Sequence, residues 1–120
     1  MKKITILTIT FSLLLLTGCG KVNQETFLQD SQAIMENLSQ LHDRLITEEE
    51  FRANFDAYTE EYSGKLSEAQ QTIYINLREA YGTLMEANLS KIMGETGEAE
   101  YLIQEYLKHA EKVKTLLSYL

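Results

Sequence analysis

The sequence predicts an all-α protein, an up-and-down four-helix bundle over residues 25–120. Three observations carry that reading. Apolar residues recur at spacings of three and four in four separate segments, the period of a helix with one buried face. Pro is absent from all 120 residues, so nothing interrupts the N–H ladder of a long helix. The breaks between segments are about two to four residues long, which favours antiparallel neighbours. Outside the first twenty residues no run alternates with period two, so no strand is expected.

The first helix spans about residues 24–45, with Phe27, Ile34, Leu38, Leu41 and Leu45 on one face. The second opens at Thr47-Glu48-Glu49-Glu50, a capping box in which Thr47 and Glu50 satisfy each other's backbone N–H. Its stripe is Phe51, Phe55, Tyr58 and Tyr62, and Gly64 is placed to stop it. Those aromatics keep core spacing throughout, so packing accounts for them better than a cofactor or peptide groove does. Ser67-Glu68-Ala69-Gln70 is a second capping box and opens a long third helix that reaches Met93, with Gly94 as its stop. The fourth opens at Gly97-Glu98-Ala99-Glu100 and presents Leu102, Tyr106, Val113, Leu117 and Leu120.

The N-terminus differs from the rest. Lys2 and Lys3 precede an apolar stretch over residues 4–16, 13 residues long, which closes at Leu16-Thr17-Gly18-Cys19. A helix needs ~20 apolar residues to cross the hydrocarbon of a bilayer, so this stretch is too short for a permanent span. It has the length of a signal-peptide apolar region. The segment resembles a bacterial lipoprotein signal peptide with its lipobox. The resemblance covers about the first 20 residues. It implies a cleaved leader over residues 1–18, cleavage between Gly18 and Cys19, and a thioether diacylglycerol on Cys19. It also implies membrane anchorage through lipid in the bacterial cell envelope, facing away from the cytoplasm. Residues 19–24 are then the lipidated Cys and a short tether. Beyond residue 20 no family is recognised.

Composition narrows the rest. The chain holds 18 acidic and 11 basic residues, a net charge of −7. Without Lys2 and Lys3, nine basic residues face 18 acidic ones, a net −9. Nucleic acid is therefore not an expected partner, because phosphate binding needs a basic face. The single Cys excludes an internal disulfide and a Cys-cluster metal site. Once lipidated, it leaves no thiol for catalysis.

The remaining chemistry is sparse. A di-iron bundle needs Glu-x-x-His pairs, and Ser39 and Tyr106 stand three residues before His42 and His109. Glu105 and His109 can touch at i, i+4, which reads as a surface pair rather than a metal site. No nucleophile constellation, phosphate loop or calcium-loop spacing occurs, so neither enzyme activity nor a cofactor is expected. On a helical wheel His42 lies between Leu38 and Met35, and Asn88 between Leu77 and Tyr81. With Tyr106 they form either a satisfied polar layer that fixes register or a small-ligand pocket. Tyr101, Lys108, Lys112 and Tyr119 share the polar side of the fourth helix, which reads as a solvated face.

The third helix carries two apolar stripes. Ile73, Leu77, Ala80 and Leu84 face the expected core. Ile75, Gly82, Leu89 and Met93 form a second line more than 100° away. Such a line marks a candidate interface with a protein partner, a second copy of this chain included. Gly82 costs ~1 kcal/mol relative to Ala inside a helix and suggests close approach of another helix. The expectation is a non-enzymatic, membrane-anchored interaction or accessory factor, serving in assembly, immunity or exclusion. The alternative is a small-ligand carrier or sensor using His42, Asn88 and Tyr106.

Overall fold

The computed structural model describes residues 22–120. The expected signal peptide, its cleavage site at Gly18 and Cys19, and the lipidation site lie outside the described residues. Four helices follow in series: α1 Gln24–His42, α2 Glu48–Tyr62, α3 Glu68–Ile92 and α4 Thr96–Tyr119. No strand occurs among the described residues, and the all-α, four-helix reading holds. The chain divides into two compact units at Gln70 and Gln71, within the first turn of α3.

In the first unit, the Asn23 side chain accepts from the Thr26 N–H at 3.0 Å and caps α1. The helix stops at His42, three residues before the expected end at Leu45. The Arg44 N–H donates to the Leu41 carbonyl at 3.1 Å and the Leu45 N–H to the Gln40 carbonyl at 2.8 Å. That pair of bonds is a Schellman closure, with Arg44 at φ 62° where Gly is usual. The turn carries Leu45 out of the stripe to 63% exposure, and Ile46 takes a buried place instead.

The Thr47 capping box forms as read: the Glu50 N–H donates to Thr47 Oγ1 at 3.1 Å, and the Thr47 N–H to Glu50 Oε1 at 2.9 Å. Beyond Tyr62 the chain makes a type II turn. Ser63 sits at φ −57°, ψ 126°, Gly64 at φ 72°, and the Lys65 N–H reaches the Tyr62 carbonyl at 3.1 Å. The Ser67 box also forms, with Gln70 donating onward to Gln24 Oε1 at 2.5 Å.

The α1–α2 pair buries more than its apolar stripes. Phe27 stands edge-on to Tyr62 at 5.1 Å and stacks with Tyr58 at 6.2 Å. Between these rings runs a polar ladder. Tyr62 Oη donates to Asp30 Oδ2 at 2.5 Å, Ser31 and Tyr58 share a hydroxyl bond at 2.7 Å, and Asn54 Nδ2 donates to Asn37 Oδ1 at 3.0 Å. Residue numbers rise on α1 as they fall on α2, so the two helices run antiparallel.

In the second unit, α3 buries Ile73, Leu77, Ala80 and Leu84 as read from sequence, and Ala87 as well. It ends in another Schellman closure. Gly94 sits at φ 80°, its N–H on the Lys91 carbonyl at 3.1 Å and the Glu95 N–H on the Ser90 carbonyl at 2.8 Å. α4 begins one residue before the expected Gly97 and buries Ala99, Leu102, Tyr106, Ala110 and Val113. Its stripe fades at the end, where Leu117 is half-buried and Leu120 exposed. His109 Nδ1 meets Asn76 Oδ1 at 3.1 Å, which joins positions on either side of the turn and makes α3 and α4 an antiparallel hairpin.

Candidate functional site

The α3–α4 turn holds an open groove of about 400 Å³. Glu86, Leu89, Ser90 and Met93 line one side. Their spacing of three, four and seven from Glu86 puts them on a single face of α3. Glu95, Glu98 and Leu102 line the other side, at a spacing of three and seven on α4. The Schellman turn at Gly94 folds these two faces toward each other. Leu89 and Met93 are 57% and 65% exposed, and Leu102 is buried.

Glu86, Glu95 and Glu98 rim this apolar floor. Glu95 is the N-cap residue of α4, yet its side chain makes no capping bond. None of the three carboxylates makes a side-chain hydrogen bond or ion pair among the described residues. Glu95 and Glu98 gain from the positive end of the α4 dipole, about 0.3–1 kcal/mol each. Glu86, nearly two turns before the end of α3, has no such help. Residues 86–100 hold four Glu against Lys91 alone, so the groove is a negative surface over an apolar base.

The line read as a partner face lies on the outside of α3 among the described residues. Ile75 is 43% exposed and Gly82 is exposed. A Cβ built at Gly82 meets nothing within 4 Å, so the close helix approach expected for it is not made among the described residues. Leu89 and Met93 belong to both the line and the groove. Ile92, at the end of α3, is also exposed and was not foreseen.

Of the polar layer expected from His42, Asn88 and Tyr106, the first lies in the first unit and the other two in the second. His42 is the last residue of α1, with its side chain 37% exposed and its Nδ1 on Asp43 Oδ1 at 3.2 Å. The wheel angle put it in the apolar arc, but the helix ends there and Ile46 closes the stripe. Asn88 is half-buried and Tyr106 buried. Counting along the hairpin from Asn76–His109 sets Asn88 opposite the start of α4, about nine residues and ~13 Å of helix from Tyr106.

A buried polar layer exists, but in the α1–α2 pair: Asp30, Ser31, Asn37 and Asn54 are buried with Tyr58 and Tyr62. Asp30 and Asn37 lie at helical spacing from Phe27 and Ile34, inside the arc those residues define, and that was the missed signal. Burial, and then the hydrogen bond and charge of Asp30, raise the Tyr62 pKa well above its ordinary value. No buried side-chain N or O among the described residues lacks a hydrogen-bond partner. The aromatic stripe from Phe51 to Tyr62 is core, as expected.

On α4, Glu105 bonds Lys108 at 3.0 Å rather than His109. Its carboxylate raises the Lys108 pKa through that bond. The Asn76 amide donates to the Thr72 carbonyl at 2.8 Å, so its oxygen faces His109 and the imidazole Nδ1 is the donor. Tyr101 and Tyr119 are exposed, in keeping with a solvated face. Among the described residues no group of three His, Cys, Asp or Glu could hold a metal ion. No described helix is long and apolar enough to cross a membrane. Compared with known proteins, the chain matches no family model, no curated protein and no solved structure.

Proposed function

We propose that this chain is a lipid-anchored, non-enzymatic interaction protein of the bacterial cell envelope. Cys19 carries the lipid, and the helices bind another protein close to the bilayer, in an accessory, assembly, immunity or exclusion role. The tether over residues 19–24 reaches ~20 Å at most, at ~3.5 Å per residue. Two acyl chains on one residue hold firmly where a single chain would exchange. The observation that supports the interaction role is the exposed apolar line of α3, Ile75, Leu89 and Met93. The alternative is a small-ligand carrier or sensor, for which Asn88 stands away from Tyr106 along the α3–α4 hairpin.

The test is in-cell crosslinking with affinity recovery, comparing the native chain with Cys19→Ser and Ile75→Glu. Cys19→Ser should leave the membrane fraction. The native chain should recover one partner that Ile75→Glu loses. Retention of Cys19→Ser in the membrane would refute the anchor, and no partner at either lipidation state would refute the interaction role.

A further inference from the structure

We propose that the α3–α4 groove takes a basic amphipathic segment of a partner protein, an apolar anchor side chain flanked by Lys or Arg. This deepens the interaction reading and rests on it. The apolar lining supplies the anchor site: Leu89, Met93 and Leu102 present apolar surface in the groove. Met adapts its shape to varied side chains, which suits a peptide-binding floor. A volume of about 400 Å³ stands at the small end of the ~300–1,000 Å³ range of binding pockets, so it suits an anchor rather than a folded face.

The rim supplies the sign. Glu86, Glu95 and Glu98 surround the floor and make no ion pair within the described chain. An apolar segment without charge would leave them uncompensated, and an acidic one would be repelled. Lys or Arg beside the anchor answers all three, and steers the encounter as well. A second copy of this chain is a poor occupant, because 18 acidic residues face 11 basic ones over its whole length. An anionic lipid surface is repelled for the same reason.

The experiment uses a fluorescein-labelled amphipathic Leu/Lys peptide and a Leu/Glu peptide of the same pattern, titrated with the chain by anisotropy. The Leu/Lys peptide should bind, more weakly as salt rises, and the Leu/Glu peptide should not. Glu95→Lys and Glu86→Lys should each weaken binding about tenfold. Leu89→Ser and Met93→Ser, at exposed positions that leave the core intact, should weaken it comparably. Glu60→Lys changes net charge equally at an exposed site on α2 and should leave binding within about twofold.

Equal loss with Glu60→Lys would show mere attraction to an acidic protein and overturn the proposal. So would binding that ignores both floor variants, or equal binding of the Leu/Glu peptide. Crosslinking with Glu95→Lys separates this from the broader reading. A partner lost with Ile75→Glu but kept with Glu95→Lys would sink the groove and leave the interaction role standing.

Discussion

Tyr62→Phe isolates one hydrogen bond in the polar ladder. The ring stays, and with it the edge-on contact to Phe27 at 5.1 Å. What goes is the phenol proton that Asp30 Oδ2 accepts at 2.5 Å, in a place where Asp30 is 1% exposed. Hydrogen bonds to charged groups contribute about 1.5–3 kcal/mol, against about 0.5–1.5 for neutral pairs. Tyr62→Phe should therefore cost ~2 kcal/mol, and Tyr58→Phe, which loses the neutral bond to the Ser31 hydroxyl at 2.7 Å, about half of that. For a domain of this size ~2 kcal/mol lowers Tm by about 8–16 °C.

The pH dependence adds a second readout. Burial and Asp30 raise the folded Tyr62 pKa above its ordinary value of 10.0. Both states keep the proton below that value, so the stabilisation is fully present there. Above it the unfolded chain releases the proton first, and stability falls until the folded pKa is passed. The gap between wild type and Tyr62→Phe should then shrink by about 1.4 kcal/mol per pH step above 10. Urea unfolding followed by circular dichroism from pH 7 to pH 11 would measure it. A gap at neutral pH no larger than that of Tyr58→Phe, or one that is flat above pH 10, would refute the reasoning.

Four further outcomes follow from the same geometry. Gly82→Ala should raise stability by about 0.4–1 kcal/mol, since its Cβ meets open space; a loss in thermal unfolding would place an unseen neighbour there. Thr47→Ala removes one half of a capping box and should cost ~1 kcal/mol in urea titration, with no cost meaning that α2 starts elsewhere. Phe27→Ala empties a fully buried site against Tyr58 and Tyr62 and should cost about 3–5 kcal/mol, and a value under 1 would contradict the packing. Arg44→Gly relieves a non-Gly residue at positive φ and should stabilise by ~1 kcal/mol, whereas a destabilised variant would mean that the Arg side chain matters more than its backbone.

The helix order and both capping boxes were legible because they depend on residues three or four apart. Gly64 and Gly94 were legible for the same reason: a stop needs a residue that tolerates positive φ. Arg44 hid the first stop, because nothing in its side chain announces that conformation. The wheel then carried the stripe on to Leu45 and placed His42 within it. A wheel gives angle without height, and His42 has the angle of a core residue at the height of the helix's last residue. Asp30 and Asn37 were passed over because the aromatics that answer them lie in another segment. The groove was half legible. Leu89 and Met93 stood out as surplus apolar residues, but Glu95 and Glu98 join them only through the turn at Gly94.

The polar ladder also acts as a check on pairing during folding. Its rungs join Asp30 to Tyr62 and Asn37 to Asn54, fixed positions along each helix. A one-turn slip of α2 on α1 would still bring rings against apolar side chains, so greasy contact alone would accept it. The slip would carry the Tyr62 hydroxyl away from the Asp30 carboxylate and separate the two amides, stranding polar atoms in a dry seam. The hairpin is local in sequence and so closes quickly. A misaligned closure would be cheap to reopen, and the chain can try again until every rung meets its partner.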